Sequence, residues 1–226
     1  RLIIPCIYNF PTSQKEPTVT NYLTRKRMYG LYGWATFDWK SMFYLTLTGR
    51  NDWSSALIKG NRSYFYPSVS ASTVISEIVR LPEPISFLKL RGSWVKVGRD
   101  MDAYNLTGTY SLSGVWGSNP AFAPGTAIID PNIKPSMTDS YEAGIDVRFL
   151  NNRLRFDLTY FNTLDEQWIQ SVNIPVTNGY STMLTNGNAY LRDGYELVVS
   201  GKPVVSKDFN WTVSANWFKF KTVLDR

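Results

Sequence analysis

Tyr141-Glu142-Ala143-Gly144-Ile145-Asp146-Val147-Arg148-Phe149 decides the fold. Tyr141, Ala143, Ile145, Val147 and Phe149 fall on every second position, and Glu142, Gly144, Asp146 and Arg148 fill the gaps. Apolar residues at period two put one set of side chains on each face of an extended strand, so the stretch predicts a β-strand with one greasy and one charged face. Leu150-Asn151-Asn152 follows, and Asn tolerates the left-handed backbone of a tight turn. Beyond it Leu154, Phe156, Leu158 and Tyr160 alternate with Arg155, Asp157 and Thr159, which completes a hairpin.

Working outward, the same period recurs. Tyr29, Leu31, Gly33, Ala35, Phe37 and Trp39 alternate with Gly30, Tyr32, Trp34, Thr36 and Asp38, and after Lys40-Ser41 the residues Phe43, Leu45 and Leu47 oppose Tyr44, Thr46, Thr48 and Arg50. Phe65, Val69, Ala71 and Ile75 oppose Ser68, Ser70 and Ser72, while Leu88, Leu90 and Trp94 alternate with Lys89, Arg91 and Ser93. Tyr195, Leu197 and Val199 face away from Glu196 and Ser200, and Phe209, Trp211, Val213, Ala215 and Trp217 oppose Asn210, Thr212, Ser214 and Asn216. The pattern predicts about eight strands and almost no helix.

A soluble sandwich would also alternate, with its polar face in water. Two features favour a transmembrane barrel wall. Arg25 to Lys40 and Arg153 to Gln167 are unbroken extended segments, longer than the ~5–6 residues usual in globular strands and long enough for the ~9–11 needed to cross hydrocarbon. The connections also alternate. Lys40-Ser41, Val79 to Ser86, Leu150 to Asn152 and Gly201 to Asp208 are short, whereas Ser54 to Ser63, Arg99 to Met137 and Leu164 to Asn186 are longer. All short connections then fall on one side of the sheet, as in outer-membrane barrels. Trp39, Trp53, Tyr64, Tyr66, Trp168 and Trp211 sit near the inferred strand ends, where an interfacial girdle is expected.

Composition sets the outer limits. The 226 residues are 43% hydrophobic, 15% aromatic and 19% charged, with mean hydropathy -0.22, which fits a folded chain. No run approaches the ~20 apolar residues of a spanning helix. Histidine is absent and Cys6 is the one cysteine, so no Ser-His-Asp triad, Cys-His pair or His/Cys zinc site can be built within the chain. Cys6 reads as a packed or exposed thiol. The net charge of +6 is scattered, with Arg25-Lys26-Arg27 the sole basic run, so nucleic-acid binding is not expected. An enzyme would have to use carboxylates. Asp165-Glu166 and the Asp100/Asp102 pair are the candidates, but strand neighbours point to opposite faces, and two carboxylates do not make a cation site. No cofactor, metal or catalytic residue is expected. The opening RLIIPCIYNF is broken by Pro5 and does not read as a secretion signal. Both ends read as cut, with 1–24 a loop or strand remnant and 25–226 a portion of a barrel.

Several motifs carry a family resemblance. Arg50-Asn51-Asp52-Trp53-Ser54-Ser55, Ser63-Tyr64-Phe65-Tyr66-Pro67-Ser68-Val69-Ser70, Phe87-Leu88-Lys89-Leu90-Arg91-Gly92-Ser93-Trp94 with Val97-Gly98, Tyr141 to Asp146, Phe149 to Leu154, and Gly194-Tyr195-Glu196-Leu197 follow one another in order. Together they resemble the barrel of the SusC/RagA family of TonB-dependent outer-membrane transporters. The fit is loose at Lys134-Pro135-Ser136 and at Gly187 to Leu191.

The resemblance implies an all-β, antiparallel transmembrane wall of about eight strands within a barrel of ~22, in the outer membrane of a Gram-negative bacterium. It implies import of an oligosaccharide or peptide, a SusD-like surface lipoprotein as lid, and TonB acting through a plug that this stretch lacks. On this reading Asp52-Trp53 and Tyr64-Phe65-Tyr66 anchor the outer rim in the headgroup zone. Arg50, Lys89, Arg91, Glu142, Asp146, Arg148, Arg155, Asp157 and Glu196 line the lumen, and Asp100, Asp102, Tyr104, Tyr110 and Trp116 in the long loop are candidates for ligand or lid contact. A complete small outer-membrane barrel and a soluble glycan-binding β-sandwich are the alternatives. Arg at Ile145 or Leu158 is expected to block membrane assembly far more than Arg at Asp146 or Thr159.

Overall fold

A computed structural model describes residues 23–225; Cys6 and nearly all of the 1–24 remnant lie outside the described residues. Eight long strands form one antiparallel sheet: β1 (Met28–Trp39), β2 (Phe43–Ser54), β3 (Ser63–Val74), β4 (Ile85–Arg99), β8 (Ser136–Phe149), β9 (Leu154–Glu166), β12 (Tyr190–Val205) and β13 (Asn210–Leu224). They pair in chain order as a meander. The remaining five strands lie inside the long connections: β5 (Tyr110–Trp116), β6 (Asn119–Pro124), β7 (Ala127–Ile129), β10 (Ile169–Asn173) and β11 (Thr182–Asn186). There is no α-helix among the described residues.

The eight wall strands are those the alternation predicts. Each has 12 to 16 residues, so even the shortest is roughly 40 Å long. The sheet is not closed among the described residues, since β1 and β13 each have one neighbour.

The turns at one end are tight for local reasons. Lys40 and Ser41 both adopt φ 54°, and the amide of Met42 donates to the Trp39 carbonyl at 3.0 Å. Leu150, Asn151 and Asn152 follow one another at φ 54°, 55° and 64°. The Asn151 amide donates to Ser86 Oγ at 2.7 Å, which ties this turn to the neighbouring one. A β-branched residue resists left-handed backbone. Asn152→Val is therefore expected to lower barrel stability by about 1–3 kcal/mol, and Asn152→Gly to be tolerated, as read by denaturant unfolding.

The opposite end carries the connections 55–62, 100–135 and 167–189, against 40–42, 75–84, 150–153 and 206–209 at the tight-turn end. One departure from strict alternation appears. The 75–84 connection, with a 3-10 turn at Ile75–Glu77, is two residues longer than 55–62, which holds one at Lys59–Asn61.

Among the described residues, most buried apolar side chains lie beside the wall rather than within it. Ala56, Leu57, Ile133 and Ala189 come from the three long-end connections and pack out of solvent. Further links join the same segments. Asn61 Nδ2 donates to the Ile133 carbonyl at 2.8 Å, β7 pairs in parallel with β11, and the Lys134 amide donates to Asn186 Oδ1 at 2.7 Å. The three connections thus form one folded cap on the long-loop end. Asp130 stands at its centre, where the Asn132 amide and then the Thr185 hydroxyl hold its carboxyl below the usual carboxylate range. A depressed folded value means that this contribution is present above the unfolded pKa of ~3.9 and is lost as pH falls through the folded value. The protection factors of the 126–134 amides, taken against the intrinsic exchange rate at each pH, should therefore fall only below about pH 4, and Asp130→Asn should remove that dependence.

Candidate functional site: a charged sheet face and a polar rim

The pairing register sorts the side chains across all eight strands. One row runs Ser72, Arg91, Gly144, Thr159, Glu196, Phe218 and the next but one runs Val74, Lys89, Asp146, Asp157, Val198, Asn216. Arg50, Lys89, Arg91, Glu142, Asp146, Arg148, Arg155, Asp157 and Glu196 all fall on this same face. The other face carries rows such as Thr73, Leu90, Ile145, Leu158, Leu197 and Trp217.

On the charged face, six residues from three strands form a connected network. Arg91 on β4 reaches across β8 to Asp157 on β9, with Nη2 to Oδ1 at 2.5 Å and Nη1 to Oδ2 at 3.2 Å, and also donates to Thr159 Oγ1 at 2.6 Å. It crosses at Gly144, where a Cβ would come within 2.6 Å of its Nε. Arg155 bridges Asp157 at 2.9 Å and Asp146 at 3.0 Å, and Arg148 donates to Asp146 at 3.2 Å. Asp146 is 4% exposed beneath these guanidiniums. Arg148 also lies 4.3 Å from the Phe87 ring centroid, and Lys89 lies 5.8 Å from that of Tyr44. Bidentate, multiply bonded carboxylates fix guanidinium positions more than lone surface pairs do.

Glu142 and Glu196 line a second region with Arg91, Arg192, Phe161, Phe218 and Phe220, a groove of about 670 Å³. Phe218 and Phe220 stack at 6.1 Å and 13°. Phe161, Phe218, Phe220 and Arg192 were not singled out from sequence, although the even-numbered positions of Phe218 and Phe220 on β13 place them on the face opposite Trp217.

The apolar face ends in a regular way toward the long-loop end. On five of the eight strands an aromatic residue on that face is followed by one that is charged or an amide, with Met137, Leu164, Leu191 and Val223 lying beyond this boundary on the same face. The successive pairs are Trp94/Lys96, Tyr141/Asp139, Tyr160/Asn162, Tyr195/Asp193 and Trp217/Lys219 on β4, β8, β9, β12 and β13. Neighbours in this band touch, with Trp94–Tyr141 centroids 6.5 Å apart and Tyr160–Tyr195 5.1 Å apart. Lys96 and Asp139 form an ion pair at 2.9 Å just beyond it.

The band shifts against the pairing register. Trp94 pairs with Tyr141, but Tyr141 pairs with Asn162; Tyr160 pairs with Tyr195, but Tyr195 pairs with Lys219. The boundary thus moves by roughly one residue per strand. With a rise of ~3.4 Å and a strand spacing of ~4.8 Å, a level boundary requires strands tilted by about 35°, at the edge of the 35–45° found in membrane barrels. On β8 the apolar column from Tyr141 to Phe149 spans roughly 27 Å along the strand and about 22 Å along the tilted axis, close to the ~25 Å apolar band of such walls.

The aromatics expected at a girdle divide. Trp39, 5.7 Å from Phe43, and Trp211 lie on the apolar face at the tight-turn end, and Trp53 lies on it at the long-loop end. Tyr64 and Tyr66 do not join them, which corrects the girdle expectation for both. They pair with Asp52 and Arg50 and turn to the charged face, because Phe65, between them, takes the apolar side and is 58% exposed. Trp168 lies in the 167–189 connection, lining a cleft with Arg99, Asp100, Asp102, Asn105 and Ser136.

Tyr66 donates to Asp52 Oδ2 at 2.6 Å, Arg50 Nε donates to Asp52 Oδ1 at 2.8 Å, and Tyr64 stacks on Tyr66 at 5.9 Å. Nearby, Ser54 Oγ donates to Asp100 Oδ2 at 2.5 Å, and Lys26 pairs with the same oxygen at 2.7 Å. Asp52, Ser54 and Tyr64 are buried. This polar rim joins the signature motifs that the sequence presents separately. Pro67 sits next to it, where β3 parts from β4 and no ladder amide is needed.

The five long-loop candidates do not form one site. Asp100 and Tyr104 are engaged at the base of the connection, Tyr104 accepting from the Arg25 amide at 3.2 Å, and Asp102 lines the cleft beside them. Tyr110 and Trp116 lie on the β5–β6 hairpin, exposed by 74% and 84%. Asp165 and Glu166, successive residues of β9, point to opposite faces, and Asp165 accepts from Thr138 at 2.6 Å. No group of three or more His, Cys, Asp or Glu capable of holding a metal occurs among the described residues.

A tilted antiparallel meander with one charged face and one apolar face closed by an aromatic band is a section of a transmembrane β-barrel wall. Residues 7–225 match the profile of the TonB dependent receptor-like β-barrel, and the chain belongs to that family of outer-membrane proteins of Gram-negative bacteria. It is 29% identical over 217 residues to the TonB-dependent receptor SusC of Bacteroides thetaiotaomicron, covering 91% of this chain and 22% of that protein. It is 27% identical over 210 residues to the TonB-dependent receptor P26 of Formosa agariphila, covering 88% and 21%. The structure of the RagAB peptide transporter superposes with a TM-score of 0.80 at 19% identity, over 92% of this chain and 24% of that one. The SusC/RagA resemblance carried by the motifs is supported by these matches. The chain spans about a fifth of the length of the curated relatives it matches.

Proposed function

We propose that this chain is a wall section of a TonB-dependent importer that carries a nutrient, an oligosaccharide or a peptide, across the outer membrane. The observation that carries this reading is the two-faced sheet, whose apolar side is bounded by a level aromatic band once the strands are tilted. On this reading the charged face lines the lumen, where its ion pairs stay hydrated and cheap. The apolar face meets lipid, and the cap on the long-loop end faces the cell exterior. The strands that close the barrel and the plug through which TonB acts come from outside this stretch, because an open sheet edge is not viable in hydrocarbon. A SusD-like surface lipoprotein is the partner that similarity to SusC and RagAB supports. The chain performs no covalent chemistry on its cargo; its residues guide, hydrate and enclose.

The test is made on the full-length protein in its host. Deletion of the gene should abolish uptake of one cargo class, labelled oligosaccharides or labelled peptides, and leave the other unchanged. Affinity capture of the tagged protein from solubilised outer membranes should bring down a SusD-like lipoprotein at near-equal amounts. Unaltered uptake of both cargo classes with no such lipoprotein would contradict the reading.

A further inference from the structure

We infer that the polar rim around Asp52 and Asp100 is a clamp that fixes the entering foot of the 100–135 connection to the wall, with Asp100 as a positioning residue for the β5–β6 arm. The inference rests on the reading that the long connections face outward.

Three observations lead to it. The rim occupies space made for it: a Cβ at Gly30 would come within 2.6 Å of Asp52 Oδ1, and one at Gly98 would overlap the ring of Tyr64. Glycines on β1 and β4 thus flank the charged and aromatic cluster that β2 and β3 supply. Next, the cluster holds more than its own strands. Asp100, the first residue beyond β4, takes Ser54 Oγ at 2.5 Å and Lys26 at 2.7 Å, and Lys26 also donates to the Met101 carbonyl at 2.8 Å. The 25–27 segment is itself held, because Arg27 and Ser55 exchange hydrogen bonds at 2.9 Å.

The last observation comes from charge. From Ala103 to Ile129 there is no Asp, Glu, Lys or Arg. The arm therefore has no ionic anchorage between its feet. Its far foot is held by Asp130, Asn132 and Ile133, and its near foot by Asp100. Between them the hairpin projects with Leu112, Val115, Trp116 and Phe122 exposed. A two-stranded hairpin has little stability of its own, so its direction is set by how its feet are held.

The experiment uses the full-length protein in detergent with Cys6 replaced by Ser. Spin labels are placed at Ser118, in the hairpin turn, and at Ser206, in a tight turn of the opposite end, and the distance distribution between them is measured by electron resonance. Asp100→Ala should at least double the width of that distribution, Asp100→Glu should restore most of it, and Lys96→Gln, which removes an ion pair elsewhere on β4, should leave it unchanged. An unchanged width in Asp100→Ala overturns the proposal, as does equal broadening in Lys96→Gln. If Asp100→Ala does not assemble, Lys26→Gln is read the same way: broadening supports the clamp, and an unchanged width overturns it. The readout involves neither cargo nor import, so it fails or succeeds independently of the transport function.

Discussion

Arg substituted at Ile145 or Leu158 should all but abolish assembly of the full-length barrel, whereas Arg at Ser93 should be tolerated. Ile145 and Leu158 face each other across β8 and β9 at the middle of the apolar columns. An arginine at the bilayer midplane of a barrel wall costs about 2–4 kcal/mol, a factor of roughly 30 to 1,000 in the folded ratio. Ser93 lies on the charged face directly opposite Glu142, so a guanidinium there gains a partner in a hydrated setting. Thr159 and Asp146, also on that face, are poorer controls: Thr159 receives Arg91, and Asp146 holds Arg148 and Arg155. The measurement is the fraction of heat-resistant folded barrel recovered from outer membranes. Equal yields for Ile145→Arg and Ser93→Arg would contradict the face assignment.

Gly194→Ala is the second large effect, and it acts through backbone. Gly194 lies on the charged face of β12 between β9 and β13, buried among them. A methyl group there would stand 2.5 Å from the Lys219 carbonyl oxygen, 2.7 Å from Phe220 Cβ and 2.8 Å from the Phe161 ring. Phe161 can move, but the Lys219 carbonyl belongs to the ladder that joins β12 to β13. Relief therefore means breaking the pairing of β12 with β13. A cost of about 2–3 kcal/mol or more is expected, in the range of overpacked sites. Gly201→Ala serves as the comparison, since its nearest contacts lie at 3.9 and 4.0 Å. Chemical denaturation of the purified barrel should show a clear loss for Gly194→Ala and little change for Gly201→Ala. Matching curves would show that the close packing at Gly194 does not matter.

The wall was legible in sequence because period two survives in every strand, and period two is all that is needed to assign a face. Asn151-Asn152 and Lys40-Ser41 marked the turns for equally local reasons. What could not be read depends on register, which no single strand encodes. Arg91 reaching over Gly144 to Asp157 needs three strands aligned, and the aromatic band emerges only when each strand is offset by about one residue from the next. Tyr64 and Tyr66 were misplaced because their proximity to a strand end was weighed above their parity with Phe65. The small strands of the cap escaped notice because runs of three to seven residues, rich in Gly, Ser, Thr and Pro, carry too little periodicity. The rim clamp was present as separate motifs, and only their convergence in space shows that Asp100 belongs with Ser54.

The central claim is that one face of this sheet lines a water-filled lumen and the other meets lipid. Single cysteines placed along β8 from Tyr141 to Phe149, in the full-length protein with Cys6 replaced by Ser and in intact outer membranes, test it most directly. A membrane-impermeant maleimide should label positions 142 and 148, which flank the covered Gly144 and Asp146, and spare 143, 145 and 147, while a lipid-borne quencher should show the opposite set. Uniform labelling along the strand, or the same alternation with the two sets exchanged, would contradict the account.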